Sequence, residues 1–194
     1  MEDFRNQAIA DEIPIIHLEV QKHIELLIQS HKVQSILEVG TAVGFSAAVF
    51  AQAMGPEGLV DTIERSFKMV VQADENITRL GLKNQITQII GDAQEKLTEL
   101  DKTYDMIFLD GAKGHYIHLL DDCLRCLKPG GLLISDNVMF KGMIASNDLV
   151  IRRKITIVKR MRKYLETISN HPQLVTSILP LGDGLAISWK KELC

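Results

Sequence analysis

Short runs of β-branched and other apolar residues alternate with amphipathic segments along most of the chain. This alternation is typical of βαβ units, in which helices join parallel strands. The apolar runs predict strands at 35–39, 59–63, 85–90, 104–109 and 131–135. The amphipathic segments predict helices near 15–31, 45–54, 67–81, 93–100 and 114–127. The pattern therefore predicts an α/β fold with a mainly parallel sheet.

The rhythm changes around the fifth predicted strand. Pro129-Gly130-Gly131 predicts a break just before it, because proline cannot continue a helix and glycine adopts unusual backbone angles. A polar loop at 136–148, a long helix at 149–169 and two apolar runs at 174–179 and 185–189 follow. Two strands joined by a tight turn predict an antiparallel end to the sheet.

The composition is that of a globular protein. Of 194 residues, 46% are hydrophobic and 24% are charged, so disorder is excluded and one domain over 1–194 is expected. No apolar run approaches the roughly 20 residues of a membrane span, and the N-terminus does not resemble a signal peptide. Three cysteines, an odd number, do not make a complete disulfide framework. We therefore expect a cytoplasmic protein without disulfides or a membrane partner.

The first predicted strand leads into a turn bounded by Gly40 and Gly44. Ligands of open α/β sheets bind beyond the carboxyl ends of the strands, where glycine lets backbone N–H groups approach them. The Gly-x-x-x-Gly spacing lacks the additional glycine of a dinucleotide fingerprint, so NAD and FAD are disfavoured. Glu38 ends this apolar strand and needs a partner if it is buried, which a cationic or amino-bearing ligand would supply. Alternatively, the glycines only shape a tight turn and Glu38 is an exposed strand end.

Acidic residues also follow the second and third predicted strands. Glu64 lies about 20 residues beyond the glycine turn, as expected of an acid that binds a ribose diol. Gly91-Asp92-Ala93 ends the third strand, where a short polar side chain and a backbone N–H suit an adenine edge. Acids at strand ends are often only solvated. Their occurrence on successive strands favours a nucleoside-binding edge.

Oxygen ligands follow the fourth and fifth predicted strands. Asp110 ends the fourth strand, and Asp136 and Asn137 end the fifth. Adjacent parallel strands bring such side chains to one edge of a sheet. Two carboxylates and an amide suit Mg²⁺, Mn²⁺ or Ca²⁺ rather than zinc, and leave octahedral positions for substrate and water. Cys123 and Cys126 have C-x-x-C spacing, but without a second Cys or His pair they indicate a structural role.

Several of these segments together resemble the cation-dependent S-adenosylmethionine O-methyltransferases, the family of catechol and caffeoyl-CoA methyltransferases. They are EVGTAVGFS at 38–46, Glu64, GDA at 91–93, FLDGAK at 108–113 and SDNV at 135–138. The resemblance extends from Pro14 to the turn at 182–186, nearly the whole chain. It implies a Rossmann-like methyltransferase fold, a mainly parallel seven-stranded sheet with an antiparallel C-terminal strand and helices on both faces.

The resemblance also implies how S-adenosylmethionine is bound. Glu38 lies near the methionine part, Ser46 binds its carboxylate and Glu64 holds the ribose. Asp92 faces the adenine, and Ile16 covers the cofactor. The full set of implied cofactor-binding residues is Ile16, Glu38, Gly40, Thr41, Ser46, Glu64, Asp92, Ala93 and Asp110.

The implied reaction is methyl transfer to one of two neighbouring oxygens that chelate the cation. Asp110, Asp136 and Asn137 are the implied metal ligands, with Mg²⁺ expected before Mn²⁺ or Ca²⁺. Chelation lowers the pKa of the reacting hydroxyl. Lys113 corresponds to the family's catalytic lysine and would accept the hydroxyl proton, and the alternative is a solvated lysine at a helix start. The methyl group then moves in line from the sulfonium to the oxygen.

One segment of the chain is strongly basic. From Lys141 to Lys163 there are eight basic residues and one acid, a local charge of +7 in a chain whose net charge is −3. Five share one face of the predicted helix, namely Arg152, Arg153, Lys159, Arg160 and Lys163. The opposite, buried face is predicted to contain Ile151, Ile155, Val158, Met161, Leu165 and Ile168. A solvated helix exterior normally mixes both signs of charge, so the basic helix at 152–163 favours a polyanionic partner.

The polyanion that we predict first is tRNA. Bacterial members of the resembled family include the tRNA methyltransferase that converts wobble 5-hydroxyuridine into 5-methoxyuridine, and the C-terminal third resembles that subgroup. The 5-hydroxyl and 4-carbonyl oxygens of this base are neighbours, as in a catechol, and an unpaired anticodon base is already accessible. The alternative acceptor is a small-molecule catechol or a hydroxycinnamoyl-CoA ester. A cofactor-binding module without transferase activity is a third interpretation.

The N-terminus departs from the family pattern. Many relatives have a longer leader that forms a substrate lid or a dimer contact, whereas this chain starts almost at the predicted cofactor helix. A homodimer is the further partner that the resemblance allows.

Overall fold

A computed structural model of the chain describes residues 1–111, 113–146 and 148–192. The chain divides into two compact units, residues 1–96 and the residues from 97 onward. One domain over 1–194 stays a prediction, because two contact clusters can belong to one domain or to two. The elements before residue 97 are α1 (Glu2–Ala10), α2 (Leu18–Ser30), β1 (Ser35–Val39), α3 (Phe45–Met54), β2 (Leu59–Glu64), α4 (Phe67–Arg79), β3 (Ile86–Ile90) and the start of α5 (Ala93–Glu99). The later elements are β4 (Tyr104–Leu109), α6 (Tyr116–Cys126), β5 (Leu127–Ser135), α7 (Ile155–Ser169), β6 (Leu174–Leu179) and β7 (Leu185–Lys190).

Three parallel strands in the order β3-β2-β1 form the sheet of the first unit. Glu38 pairs with Thr62, and Glu64 pairs with Ile90, so the carboxyl ends of the three strands lie at one edge. α3 is buried from Phe45 to Ala51, as expected of a helix that is apolar on every side. The strands and helices predicted for this unit are confirmed. Most of their ends lie within two residues of the predicted positions.

The first unit also contains a helix that the sequence analysis did not predict. α1 precedes the predicted opening helix and buries Phe4 and Ala8, which are four residues apart on one face. The Phe4 ring packs edge-on against the Phe45 ring, with 5.2 Å between ring centroids. The segment before the predicted cofactor helix therefore forms a helix of its own, which the sequence analysis did not expect. The signal was a buried i, i+4 pair behind two acidic residues in the first turn, Glu2 and Asp3.

Four strands in the order β4-β5-β7-β6 form the sheet of the second unit. β4 and β5 are parallel, whereas β7 is antiparallel to both of its neighbours. The predicted antiparallel end is confirmed. Seven strands are present among the described residues, and their pairings within each unit are parallel except those of β7, as predicted.

The predicted break at Pro129-Gly130-Gly131 is an irregularity inside β5. This strand begins at Leu127, directly after α6, and its pairing with β4 slips between Tyr104 and Met106. A Cβ at Gly131 would lie 2.8 Å from the carbonyl oxygen of Asp105, so glycine permits the close approach of the two backbones. The sequence correctly indicated an irregular backbone here, but the irregularity is a bulge within the strand rather than a turn before it.

The long helix predicted at 149–169 is shorter. α7 begins at Ile155, after a 3₁₀ turn at Arg152–Lys154. Ile151 and Ile155 are exposed, so their predicted burial was wrong, whereas burial is confirmed for Val158, Met161, Leu165 and Ile168.

Cys123 and Cys126 are buried free thiols, which confirms the structural interpretation of the C-x-x-C spacing. Burial raises the pKa of both thiols, so they are poor nucleophiles. Cys194 lies outside the described residues. Within the described part of the chain, every helix is too short or too polar to cross a bilayer.

Candidate active site

Glu38 belongs to a buried series of hydrogen-bonded side chains near the end of β1. It has no exposed surface, so the alternative of an exposed strand end was wrong. The hydroxyl of Thr62 on β2 donates to Oε2 of Glu38 at 2.5 Å, and the hydroxyls of Thr62 and Thr41 are 2.6 Å apart. Because Thr62 donates to Glu38, Thr41 donates to Thr62. A chain of two threonine hydroxyls therefore holds one oxygen of the carboxylate, Oε2.

The glycine turn after β1 delivers the first turn of α3 to the same edge. Gly44 precedes α3 with φ +80°, in the left-handed region, and a Cβ there would contact Ala73 of α4 at 3.4 Å. Ser46 is the second residue of α3 and is almost fully buried. Backbone N–H groups in the first turn of a helix lack intrahelical partners and bind anions. The predicted carboxylate-binding position of Ser46 is consistent with this geometry.

Glu64 ties the end of β2 to the glycine turn. Its Oε2 accepts the backbone N–H of Ala42 at 3.1 Å, and its Oε1 accepts that of Ser66 at 2.8 Å. The side chain is half-buried. A carboxylate has about four acceptor positions, so both oxygens keep capacity for ribose hydroxyls. Glu64 therefore has a structural task in addition to the predicted one.

Asp92 and Ile16 each contact other residues of the first unit. Oδ1 of Asp92 accepts the N–H of Gln94 at 2.9 Å, and its Oδ2 lies 3.8 Å from a guanidinium nitrogen of Arg65. Asp92 is exposed and Ala93 is half-buried, both directly after β3. Ile16 is buried, and its carbonyl oxygen accepts a hydrogen bond of 3.0 Å from Arg5 on α1.

In the second unit, hydrogen bonds join the ends of β4 and β5 next to the predicted metal ligands. Asp110 follows β4 and Asp136 follows β5. The backbone N–H of Asp136 donates to the carbonyl of Leu109 at 2.9 Å. The Tyr116 hydroxyl lies 3.0 Å from that carbonyl and 3.2 Å from the carbonyl of Asp136. Burial raises the pKa of Tyr116, so its hydroxyl remains a donor that clamps the two strand ends.

The two carboxyl groups at this edge influence each other electrostatically. Burial and the nearby Asp136 raise the pKa of Asp110 to about 7, and Lys113 partly offsets this rise. Asp136 is fully buried, and the backbone N–H of Asn137 donates to its Oδ1 at 2.6 Å. A divalent cation would relieve this repulsion, so the donor set of two carboxylates and an amide fits one. Among the described residues there is no group of three His, Cys, Asp or Glu side chains that could hold a metal ion. The predicted ligands are not such a group, because two are carboxylates and the third is an amide.

Lys113 opens the 3₁₀ turn Lys113–His115 and is half-buried. Its Nζ lies 5.7 Å from the centroid of the Phe140 ring, and Nζ of Lys154 lies 5.7 Å from the same centroid. Both distances are within the range of a cation–π interaction. Ala112, within the motif that carries the family resemblance, lies outside the described residues.

The segment after Asn137 is fixed by the turn between β6 and β7. Val138 N–H donates to the Gly184 carbonyl at 2.9 Å, and Met139 N–H donates to the Asp183 carbonyl at 2.8 Å. Lys141 N–H donates to Oδ1 of Asp183 at 2.5 Å. A Cβ at Gly184 would collide with Met139, so the approach of these segments requires glycine there.

The basic helix adjoins the turn that carries Lys113. Its exposed cations are Arg152, Arg153, Lys159, Arg160 and Lys163. Nη1 of Arg160 donates to the carbonyl of Gly114 at 3.4 Å. Lys163 lies 3.6 Å from Glu166, whereas no carboxylate of the described residues lies within ion-pair distance of the other four. Arg162 differs from them, because it donates to the carbonyls of Met143 and Ile144.

Sequence reasoning missed Thr62, Phe140 and Asp183. Thr62 was detectable only as a polar residue within an apolar predicted strand, because its pairing with Glu38 depends on the strand register. Asp183 lies in the Gly182–Gly184 turn that the sequence marked only as a hairpin connection. Nothing in the pattern distinguished Phe140 from a core residue, because its contacts with Lys113 and Lys154 join distant parts of the chain.

A glycine turn and acids at the ends of parallel strands define an α/β protein of the nucleotide-binding kind. The chain matches the model of the O-methyltransferase family over residues 1–191. It therefore belongs to that family.

Similar proteins agree with this assignment. A Staphylococcus aureus structure provisionally named a caffeoyl-CoA O-methyltransferase is 36% identical with a TM-score of 0.91, and the match covers 97% of this chain and 91% of that one. The catechol O-methyltransferase of Niastella koreensis is 35% identical over 127 residues, which are 63% of this chain and 58% of that protein. A Bacillus cereus O-methyltransferase in complex with SAH is 25% identical with a TM-score of 0.86, covering 98% and 90%. The predicted S-adenosylmethionine-dependent O-methyltransferase, with its Rossmann-like fold, is confirmed at the level of the family.

Proposed function

We propose that the chain transfers the methyl group of S-adenosylmethionine to a hydroxyl group of an acceptor molecule that a divalent cation holds. We expect this cation to be Mg²⁺ before Mn²⁺ or Ca²⁺. The observation that carries the proposal is the electrostatically coupled pair of carboxyl groups at the ends of β4 and β5, Asp110 and Asp136, with Asn137 next in the chain. A bound divalent cation supplies the positive charge that lowers the pKa of the acceptor hydroxyl.

The residues of the first unit bind the cofactor in this proposal. The first turn of α3, with Ser46, binds the methionine carboxylate through backbone N–H groups. Glu64 accepts the ribose hydroxyls on the lone pairs that its two backbone donors leave. Asp92 and Ala93 read the adenine edge, and Ile16 covers the cofactor. Glu38 and Thr41 fix the floor beneath the methionine part through Thr62.

Lys113 takes the proton of the acceptor hydroxyl at Nζ. Its position three residues after Asp110 and its electrostatic interaction with that carboxylate support this role. The methyl group then moves in line from sulfur to oxygen, and the enzyme contributes mainly orientation.

The metal part of the proposal is tested by Asp136→Asn, which removes a ligand charge while keeping the side-chain shape. We expect methyl transfer to fall on the order of 100-fold or more. S-adenosylhomocysteine affinity, measured by calorimetry, should stay near that of the wild type. Asp121→Asn, at an exposed position on α6, is the matched control. Full activity of the wild type in excess EDTA would refute the metal-assisted reaction.

We propose tRNA as the acceptor, with wobble 5-hydroxyuridine as the methylated base. The contact between Arg160 and the Gly114 carbonyl supports this choice, because it joins a surface suited to phosphates to the turn that carries Lys113. A tRNA acceptor also agrees with the cytoplasmic location that the sequence predicts.

A catechol or hydroxycinnamoyl-CoA acceptor is the second candidate, and the names of the relatives favour it. Labelled S-adenosylmethionine and Mg²⁺ would be incubated in parallel with hypomodified tRNA, a catechol panel and caffeoyl-CoA. The tRNA proposal expects label in the tRNA with the highest kcat/KM. Label that appears only in the small molecules would replace it with the second candidate.

A further inference from the structure

Phe140 has a backbone conformation that bulky residues rarely adopt. Its φ is +45°, and the following Lys141 and Gly142 have φ of +56° and +76°. A residue with a Cβ is strained in this region, and glycine would satisfy the same backbone at lower cost. Strain of this kind persists where the surrounding structure enforces it, often at functional sites. The presence of an aromatic ring at this position therefore requires an explanation beyond the shape of the loop.

The ring of Phe140 contacts two cationic side chains. Nζ of Lys113 and Nζ of Lys154 each lie over it at 5.7 Å from its centroid. An aromatic face attracts an ammonium group electrostatically, and the contact restrains a side chain with four rotatable bonds. Phe140 is half-buried, so water only partly screens the interaction.

We propose that Phe140 is a positioning residue for Lys113. This inference rests on the proposed role of Lys113 as proton acceptor. During transfer the O–H bond of the acceptor breaks, and its proton binds to Nζ of Lys113, which is then an ammonium group. The Phe140 ring stabilises that ammonium group and fixes where it forms.

The turn at 182–184 holds the ring in place. The carbonyls of Asp183 and Gly184 accept the N–H groups of Met139 and Val138, and Oδ1 of Asp183 accepts that of Lys141. These bonds flank Phe140 on both sides along the chain. The hairpin between β6 and β7 therefore positions Lys113 indirectly, through the loop that carries the ring.

The test compares Phe140→Leu with Phe140→Tyr. Both variants keep a Cβ and an apolar body, but only tyrosine keeps the aromatic face. We expect Phe140→Leu to lower kcat about 3- to 30-fold, and the KM for S-adenosylmethionine to stay unchanged. Phe140→Tyr should restore most of the rate. Acetylation of Lys113 in the cofactor-free protein, followed by mass spectrometry, should be faster in Phe140→Leu because the ammonium group is no longer held.

Lys113→Met separates failure of the inference from failure of the proposed function. If Lys113→Met is inactive but Phe140→Leu has wild-type kcat and labelling, the positioning role is overturned alone. Wild-type kcat in Lys113→Met would overturn the proton-acceptor role, and the positioning role with it.

A second pair of variants tests the turn without changing the ring. Asp183→Ala removes the acceptor of the Lys141 N–H, whereas Asp183→Asn keeps an amide oxygen there. We expect Asp183→Ala to change kcat and Lys113 labelling in the same direction as Phe140→Leu, and Asp183→Asn to resemble the wild type. Equal behaviour of both variants and the wild type would overturn the part assigned to the turn.

Discussion

At the scale of single residues, the acids at the strand ends differ in what holds them. One oxygen of Glu38 accepts from the Thr62 hydroxyl, and each oxygen of Glu64 accepts from one backbone N–H group. Asp110 instead lies close to Asp136, a second carboxyl group, and its pKa is raised. In the proposed function, a divalent cation relieves the repulsion between Asp110 and Asp136.

Glu64→Ala tests the ribose contact. We expect the Kd for S-adenosylhomocysteine to rise about 10-fold or more, because hydrogen bonds to a charged group are lost. The effect should be the same with and without Mg²⁺, since the ribose contact does not involve the cation. Calorimetry on this variant and on Glu57→Ala, an exposed position of the same unit, measures it. Unchanged affinity in Glu64→Ala would mean that the ribose binds elsewhere.

The raised pKa of Asp110 predicts how the stability of the metal-free protein depends on pH. The folded protein holds the Asp110 proton up to a pH of about 7, whereas the unfolded chain releases it near the ordinary carboxyl value. The free energy of unfolding should therefore decrease as pH rises from about 4 to about 7, by a few kcal/mol at most. Mg²⁺ should restore stability at pH 8. In Asp110→Asn, thermal melts should lose most of this pH dependence and of the response to Mg²⁺, and an unaltered profile would contradict the assignment.

At the scale of secondary-structure elements, α1 is tied to the predicted cofactor cover. Arg5 donates to the Ile16 carbonyl, and its guanidinium carbon lies 4.7 Å from the centroid of the Phe45 ring at the start of α3. Phe4 packs on the same ring. α1 thus connects the segment before α2 with the helix that binds the methionine carboxylate in the proposed function.

Phe4→Ala should detach α1 and weaken both stability and cofactor binding. Removing a buried phenylalanine side chain costs about 3–5 kcal/mol where the site cannot collapse, and local detachment of the helix limits the loss. We expect a lower Tm and a higher Kd for S-adenosylhomocysteine. Ile9→Ala, at an exposed position on the same helix, is the control. If Phe4→Ala lowers Tm but leaves the Kd unchanged, α1 contributes to folding only.

At the scale of the whole molecule, charge is distributed unevenly. The net charge is −3, but the segment from Lys141 to Lys163 carries +7. Arg153 and Lys159 are exposed and have no acidic partner among the described residues, so they are available to phosphates. This asymmetry favours a polyanionic acceptor, such as the proposed tRNA or a CoA ester, over a small neutral one.

Arg153→Glu combined with Lys159→Glu tests the tRNA surface. We expect tRNA methylation to fall by orders of magnitude and catechol methylation to stay near the wild type. Wild-type activity on tRNA should also decline steeply between about 50 and 200 mM salt, because counterion release then drives binding less. Lys32→Glu combined with Lys68→Glu makes the same charge change at exposed positions of the first unit. Equal tRNA methylation in the two double variants would show that the basic helix is only solvated.

A homodimer stays a prediction. Light scattering during size exclusion at micromolar concentration would measure the mass directly.

Alternation of apolar and amphipathic segments was sufficient to predict the α/β class, the carboxyl ends of the strands and the antiparallel hairpin. These features depend on local pattern, because burial on a sheet requires short apolar runs and a turn requires glycine or proline. The order of acids along the chain also predicted the candidate site, because parallel strands place their carboxyl ends at one edge. α1 escaped this reasoning because its pattern is weak and only Phe45 gives Phe4 a partner.

What only the tertiary structure decided is which side chains hold one another. Sequence spacing cannot reveal that Thr62 satisfies Glu38, that Tyr116 clamps the ends of β4 and β5, or that Phe140 meets Lys113. Each of these contacts joins residues of different strands, helices or loops, so its geometry depends on strand register and loop conformation rather than on local pattern. The sequence by itself determined which chemical groups arrive at the sheet edge. Their partners, their burial and hence their protonation were decided by the packing, because a pKa depends on the surroundings of a group and not on its identity alone.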